Sequence, residues 1–102
     1  MLFIDTPHLP WEPLLEGVFK KTVYRSDALE VLELRLEPGA SLKPHDMPCR
    51  VLFRILEGEG ELDRAGERHR LKPEDSVLLD PGTLRFWSNP SASPLRLLVT
   101  KS

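Results

Sequence analysis

The chain has 102 residues, a formal net charge of −2 at pH 7 and a pI near 5.9. This length suits one domain with a single hydrophobic core. The arginines are scattered among acidic residues, so no basic patch favours nucleic-acid binding. No apolar run approaches the roughly 20 residues that cross a bilayer, and acid and proline interrupt the N-terminus where a signal peptide would be apolar. We therefore expect one cytoplasmic domain, residues 1–102, without nucleic-acid or membrane partners.

The rarer residue types give two further expectations. A single cysteine, Cys49, excludes an internal disulfide and suits a reducing compartment. Glutamine is absent and Asn89 is the only asparagine, whereas arginine, glutamate, leucine and proline are abundant. High-temperature proteomes shift in the same direction, which favours a thermophilic source.

The N-terminal part, residues 1–17, is predicted to be an extended strap. Three prolines precede residue 14, which excludes an initial helix. We expect the first strand near Val18 to Tyr24. The following stretch alternates leucines with charged residues up to the turn signal Pro38-Gly39, a period of two that predicts a strand with one buried face.

The next apolar stretch predicts a central strand. It places Val51, Phe53 and Ile55 on one face and Leu52 and Leu56 on the other, so both faces are mostly apolar. We expect such a strand to be covered on both sides.

The second half of the chain continues in short strands. Residues 61–71 predict a hairpin with Gly66 in its turn, residues 75–80 a strand that ends at a Pro-Gly pair, and residues 94–101 a last strand. Turn signals recur about every 8 to 12 residues, as in sandwiches and small barrels. No segment has a helical period, so the predicted class is all-β.

Two glycine-framed motifs run through the middle and second half of the chain. Gly39, five residues and then His45 open the first motif, and Gly58 closes it, while Gly82 and Asn89 belong to the second. The pattern resembles that of single-domain cupins, G-x5-H-x-H-x3-4-E-x6-G followed by G-x5-P-x-G-x2-H-x3-N. The resemblance implies a double-stranded β-helix, or jelly-roll barrel, and a homodimer.

Most of the ligand positions of the cupin metal centre are replaced. Met47 stands at the second histidine, Val51 at the glutamate and Arg85 at the last histidine, so only His45 is left. The family centre would use three imidazoles and a carboxylate. The resemblance therefore implies a degenerate site, and we expect no metal cofactor there.

Arg85 would place a permanent positive charge where the metal ion belongs. A buried arginine needs a partner, because an unpaired charge in an apolar barrel costs several kcal/mol. Asp80, Glu74 and Glu57 are candidate partners within the chain. If none of them reaches Arg85, an anionic ligand is favoured.

The first functional hypothesis is a metal-free cupin that binds a small, anionic molecule in the barrel. Arg85 would be the charge anchor and His45 a hydrogen-bonding partner. Met47, Phe53 and Trp87 would form apolar walls, the usual design of a small-molecule site. Plain core packing is the competing interpretation of Trp87.

The second hypothesis is a cupin enzyme of the isomerase, dioxygenase or decarboxylase type, which is metal-dependent with an off-pattern site or works by acid and base groups alone. On a regular strand His45, Met47 and Cys49 would share one face and offer a soft ligand set for copper or another transition metal. Pro48 interrupts that alternation. Taken singly, His45 is as well explained by a hydrogen bond to a backbone carbonyl, and Cys49 by burial.

Two observations concern partner proteins. The segment "WEPLLEGVFKK" is similar to the strand before the barrel in zinc-binding cupin domains of anti-sigma factors, which would imply a regulatory domain. Leu52, Leu56, Phe86 and Leu98 lie on faces opposite the predicted lumen and need cover. They agree with the homodimer that the cupin resemblance implies.

Overall fold

The computed structural model describes all residues, 1–102. One short 3-10 helix, Thr6–His8, precedes nine strands, and no helix is long and apolar enough to span a bilayer. The strands are β1 (Glu12–Leu15), β2 (Val18–Arg25), β3 (Glu30–Leu36), β4 (Val51–Glu57), β5 (Gly60–Arg64), β6 (Glu67–Leu71), β7 (Ser76–Leu79), β8 (Arg85–Ser88) and β9 (Leu95–Lys101).

The strands form two antiparallel sheets around one core. The larger sheet has the order β1-β2-β3-β9-β4-β7, and the smaller has the order β6-β5-β8. Alternate residues of β3, β9 and β4 point inward, as the period of two predicts, and they meet Leu62 and Trp87 of the smaller sheet in one buried cluster. The predicted all-β jelly-roll fold is confirmed.

Strand β1 differs from the predicted strap. It lies at the edge of the larger sheet, where Pro13 is tolerated because an edge residue need not donate a ladder hydrogen bond. Gly17, with φ 73°, forms the turn into β2. The Glu-Gly pair before Val18 was the available signal for this hairpin.

The rest of the strap folds over the outer face of the larger sheet. The buried Lys21 of β2 donates from Nζ to the Thr6 carbonyl at 3.0 Å, and its ammonium lies 4.5 Å from the centre of the Trp11 ring. Residues 6–11 are therefore attached to the sheet by one side chain.

The expectation that β4 is covered on both sides is wrong for the chain as it stands. Val51, Phe53 and Ile55 are buried, but Leu52 is 41% exposed and Leu56 is exposed as well. Only the edge strand β7 lies beyond β4 in the sheet, and no element of this chain packs on that outer face.

Two motif positions show how the turns are fixed. Gly58 has φ 81°, and a Cβ there would lie 2.3 Å from the Pro94 carbonyl oxygen, so only glycine fits. Glu74, which occupies the position of the first glycine in the second motif, also has a left-handed conformation, with φ 77°. The turn therefore has the left-handed backbone conformation that glycine favours, but a glutamate occupies the position.

Candidate ligand-binding site

His45 and Arg85 are joined through their backbones. The His45 N–H donates to the Arg85 carbonyl at 3.1 Å, and the Arg85 N–H donates to the His45 carbonyl at 3.0 Å. The residues after His45 do not form a regular strand, because Pro48 and Cys49 make a bend. The sequence pattern therefore locates His45 correctly beside β8, and the interruption expected at Pro48 is observed.

A cavity of about 170 Å³ lies inside the barrel next to this pair. His45, Phe53, Arg85 and Trp87 all line it, so the structure brings together four of the five residues predicted to bind a ligand. The other lining residues are Leu14, Lys20, Glu30, Leu32, Leu34, Leu42, Phe86, Val99 and Lys101. Whether the four bind a ligand stays a prediction.

Met47 lies elsewhere. With Cys49 it lines a separate, open surface pocket formed by residues 25–30 and the C-terminal residues. The backbone bend at Pro48 removes the shared face on which the soft-metal hypothesis depends. His45 thus lines the barrel cavity, whereas Met47 and Cys49 line the neighbouring surface pocket, which shares Glu30 and Lys101 with it. The soft-metal site stays a prediction.

Trp87 is fixed in the wall by tight packing. Its ring and that of Phe53 meet edge to face, with centroids 5.3 Å apart and an interplanar angle of 64°. A Cβ on Gly60 would lie 3.0 Å from Trp87 Cζ3, so the six-membered ring rests against bare backbone. The opposite edge carries Nε1, which is buried and donates to no acceptor.

Arg85 is 3% exposed, and burial lowers the pKa of its guanidinium, while Cys49 and Asp46 act in the opposite direction. The guanidinium carbon lies 5.7 Å from the centre of the Phe53 ring. Nη1 donates to the His45 carbonyl over a long 3.4 Å, and Nε donates to no acceptor. The buried cation is thus incompletely hydrogen-bonded.

None of the three candidate carboxylates pairs with Arg85. Asp80 forms an ion pair with Arg50 at 3.7 Å, and Glu57 pairs with Arg96 at 3.3 Å. Glu74 is exposed and forms no ion pair. Sequence reasoning placed these acids near the motif ends but could not show that closer arginines hold two of them.

The remaining charged groups give the cavity a positive excess. Glu30 and Lys101 form an ion pair at 3.5 Å across neighbouring strands, and Lys20 lines the same cavity. With Arg85 the lining contains three cations and one carboxylate. Lys20 was missed from the sequence, although its parity with Val18 and Thr22 on β2 was a usable signal.

The lining does not fit the metal centre that the cupin pattern implies. His45 is its only imidazole, and Nδ1 of that ring is engaged with the Lys43 carbonyl at 3.0 Å. Val51 is buried in the core, and Arg85 adds a positive charge. No three His, Cys, Asp or Glu side chains come together in a geometry suited to a metal ion.

A family model for the cupin domain, Cupin_2, matches residues 32–101. The chain belongs to the cupin family. No curated protein sequence matches this cupin. The match covers both glycine-framed motifs, including His45 and Arg85, whereas the similarity of the N-terminal segment to anti-sigma domains stays a prediction.

Solved structures agree with the family. A predicted oxalate decarboxylase from Thermotoga maritima has a TM-score of 0.91 at 18% identity, over 98% of this cupin and 97% of that chain. KdgF from Halomonas sp. has a TM-score of 0.88 at 20% identity, over 99% and 93%. An RmlC-like cupin from Shewanella frigidimarina has a TM-score of 0.89 at 19% identity, over 98% and 88%. At these identities the similarity shows the fold alone.

Proposed function

We propose that this cupin binds a small anionic molecule inside its barrel without a metal ion, and that Arg85 holds the negative charge. The observation that carries the proposal is the incomplete pairing of Arg85, which is 3% exposed, forms no ion pair and has an Nε without an acceptor. The proposed role is that of a binding or sensing module.

A buried charge without a partner is costly. An uncompensated buried ion destabilises the folded state by several kcal/mol, and one long hydrogen bond offsets little of that cost. An anion would supply both the opposite charge and the missing acceptor. A charge-assisted hydrogen bond contributes roughly 1.5–3 kcal/mol, more than a neutral one.

His45 completes the polar end of the proposed site. Its Nδ1 carries the proton in the hydrogen bond to the Lys43 carbonyl, because a carbonyl oxygen can only accept. Nε2 of the neutral ring is then an acceptor, so it can take a hydrogen bond from a hydroxyl group or a water molecule but cannot donate one to the anion. Since His45 is exposed while Arg85 is buried, we assign the imidazole to the mouth of the cavity and the guanidinium to its interior.

A thermal-shift experiment tests the proposal. Protein purified without a chelator is heated with acetate, benzoate, citrate or phosphate at constant ionic strength. At least one anion should raise the melting temperature of the wild type and leave Arg85→Met unchanged. Arg54→Met is the matched control, because Arg54 is exposed on β4 and outside the cavity, and it should respond like the wild type.

Two results would overturn the proposal. One is an unchanged response to anions after Arg85→Met, since the charge anchor would then lie elsewhere. The other is one metal ion or more per chain in elemental analysis of the same preparation.

A further inference from the structure

We infer that the anion is a monocarboxylate with a small, flat apolar body, about the size of benzoate. The inference rests on the proposed function, because it assigns the chemical class of the molecule that Arg85 would hold. Size, wall chemistry and the two unpaired donors support it independently.

The volume of the cavity limits the ligand. It measures about 170 Å³, whereas pockets for drug-sized ligands measure roughly 300–1,000 Å³. A protein cavity of about 150 Å³ lined by apolar side chains accommodates benzene. The interior of the barrel therefore has room for about one six-membered ring with a carboxylate, and a nucleotide or disaccharide would have to extend out through the mouth.

The walls favour an apolar body over a polyol. Leu32, Leu34, Leu42 and Val99 face the cavity together with the ring of Phe53. These side chains offer no acceptor or donor to a hydroxyl group. Lys20, Glu30 and Lys101 also line the cavity, so the preference concerns the part of the ligand that lies against these apolar side chains. A sugar acid would leave hydroxyl groups without partners there, so it should bind more weakly than an apolar acid of the same charge.

The polar end of the cavity presents donors. Arg85 and Trp87 lie two positions apart on β8 and share a face, and their Nε and Nε1 atoms are the only buried side-chain nitrogen or oxygen atoms without a hydrogen-bond partner. Both residues line the cavity, and in the proposed complex a carboxylate would give one oxygen to each donor and one charge to the guanidinium. Phosphate has no apolar body to fill the space between the leucines, Val99 and Phe53.

Isothermal titration calorimetry tests the chemical class of the ligand, because it compares the affinities of the wild type for molecules that differ in charge and shape. Benzoate should bind at least about tenfold more tightly than benzyl alcohol, which has a similar shape and no charge, because a charge-assisted hydrogen bond is lost. Benzoate should also bind more tightly than gluconate and inorganic phosphate, because neither of these has an apolar body.

A pair of variants separates the apolar body from the charge anchor. Val99→Phe, or the milder Val99→Ile if the first does not fold, narrows the apolar end and should weaken benzoate binding about tenfold or more while acetate binding persists. Leu98→Phe is the matched control, because Leu98 does not line the cavity, and both anions should bind it as they bind the wild type.

The outcomes distinguish a failure of the inferred ligand class from a failure of the proposed function. Tighter binding of gluconate than of benzoate, lost in Arg85→Met, would overturn the apolar body of the ligand. Tighter binding of phosphate, lost in the same variant, would overturn the monocarboxylate. Either result would leave the proposed function standing. Equal binding of benzoate and benzyl alcohol would also overturn the monocarboxylate. An absence of binding by every anion would overturn both.

Discussion

His45 and Arg85 exchange both backbone hydrogen bonds, and the Arg85 guanidinium donates back to the same His45 carbonyl at 3.4 Å. The backbone pair fixes where the two side chains enter the cavity. The guanidinium itself is held by one long bond, so most of its donor capacity is not used within the chain. This combination of a rigid backbone and an incompletely paired charge is the basis of the proposed anion site.

Arg85→Met should stabilise the ligand-free protein. The variant removes a buried charge without a carboxylate partner and leaves an apolar side chain in an apolar barrel. We expect the free energy of unfolding to rise by about 1 kcal/mol or more, since replacing buried ions by apolar residues is often neutral or stabilising. Urea denaturation at low anion concentration measures the change.

The control for this prediction is Arg54→Met, which should change the free energy of unfolding by less than about 0.5 kcal/mol because the residue is exposed. A loss of several kcal/mol in Arg85→Met alone would show that the guanidinium is needed to hold the barrel together, which contradicts its assignment to a ligand.

Glu74→Gly should also stabilise the protein, for a backbone reason. Glu74 has φ 77°, a conformation that costs a side-chain-bearing residue roughly 1 kcal/mol and glycine almost nothing. We expect a net gain of about 0.5–1 kcal/mol in thermal or urea unfolding. Glu67→Gly, in strand β6, should instead lower stability, because glycine weakens a strand.

Gly60→Ala should disturb the wall of the cavity. The added Cβ would lie 2.9 Å from Leu95 Cδ2 and 3.0 Å from Trp87 Cζ3, both in fully packed side chains. We expect a loss of about 1–3 kcal/mol in the free energy of unfolding and an altered near-ultraviolet circular dichroism band of Trp87. The neighbouring Glu59→Ala should leave both unchanged.

The outer face of β4 gives a prediction about assembly. Leu52 is 41% exposed, and its cross-strand neighbour Leu78 is 57% exposed, so this patch needs cover. We expect a homodimer in solution and at least a tenfold weaker association in Leu52→Asp. Light scattering after size-exclusion chromatography measures the molar mass of the assembly, and Leu84→Asp, in an exposed loop, is the control. A monomeric wild type would contradict the prediction.

Most of the fold was predictable, because alternating leucines, paired glycine turns and strand lengths agree with one another along the chain. The outer face of β4 was not, since an apolar pattern cannot show whether another element or a second chain covers it. Strand β1 was missed because Pro13 obscures an edge strand, although the Glu-Gly pair before Val18 was a signal for the turn that joins it to β2.

The candidate site was predictable as far as motif spacing reached. Spacing placed His45 beside Arg85, and strand parity added Phe53 and Trp87. Parity failed for Met47, because the bend at Pro48 ends the alternation on which it depends. The missing partner of Arg85 could be recognised only in three dimensions, where nearby arginines take the acids that the sequence offered.

A crystal structure of the protein grown with benzoate and without added metal tests the central claim most directly. We predict electron density for a carboxylate within hydrogen-bond distance of Arg85 Nε, with the benzoate ring inside the barrel against Phe53. A metal ion between His45 and Arg85, or benzoate bound only outside the barrel, would contradict it.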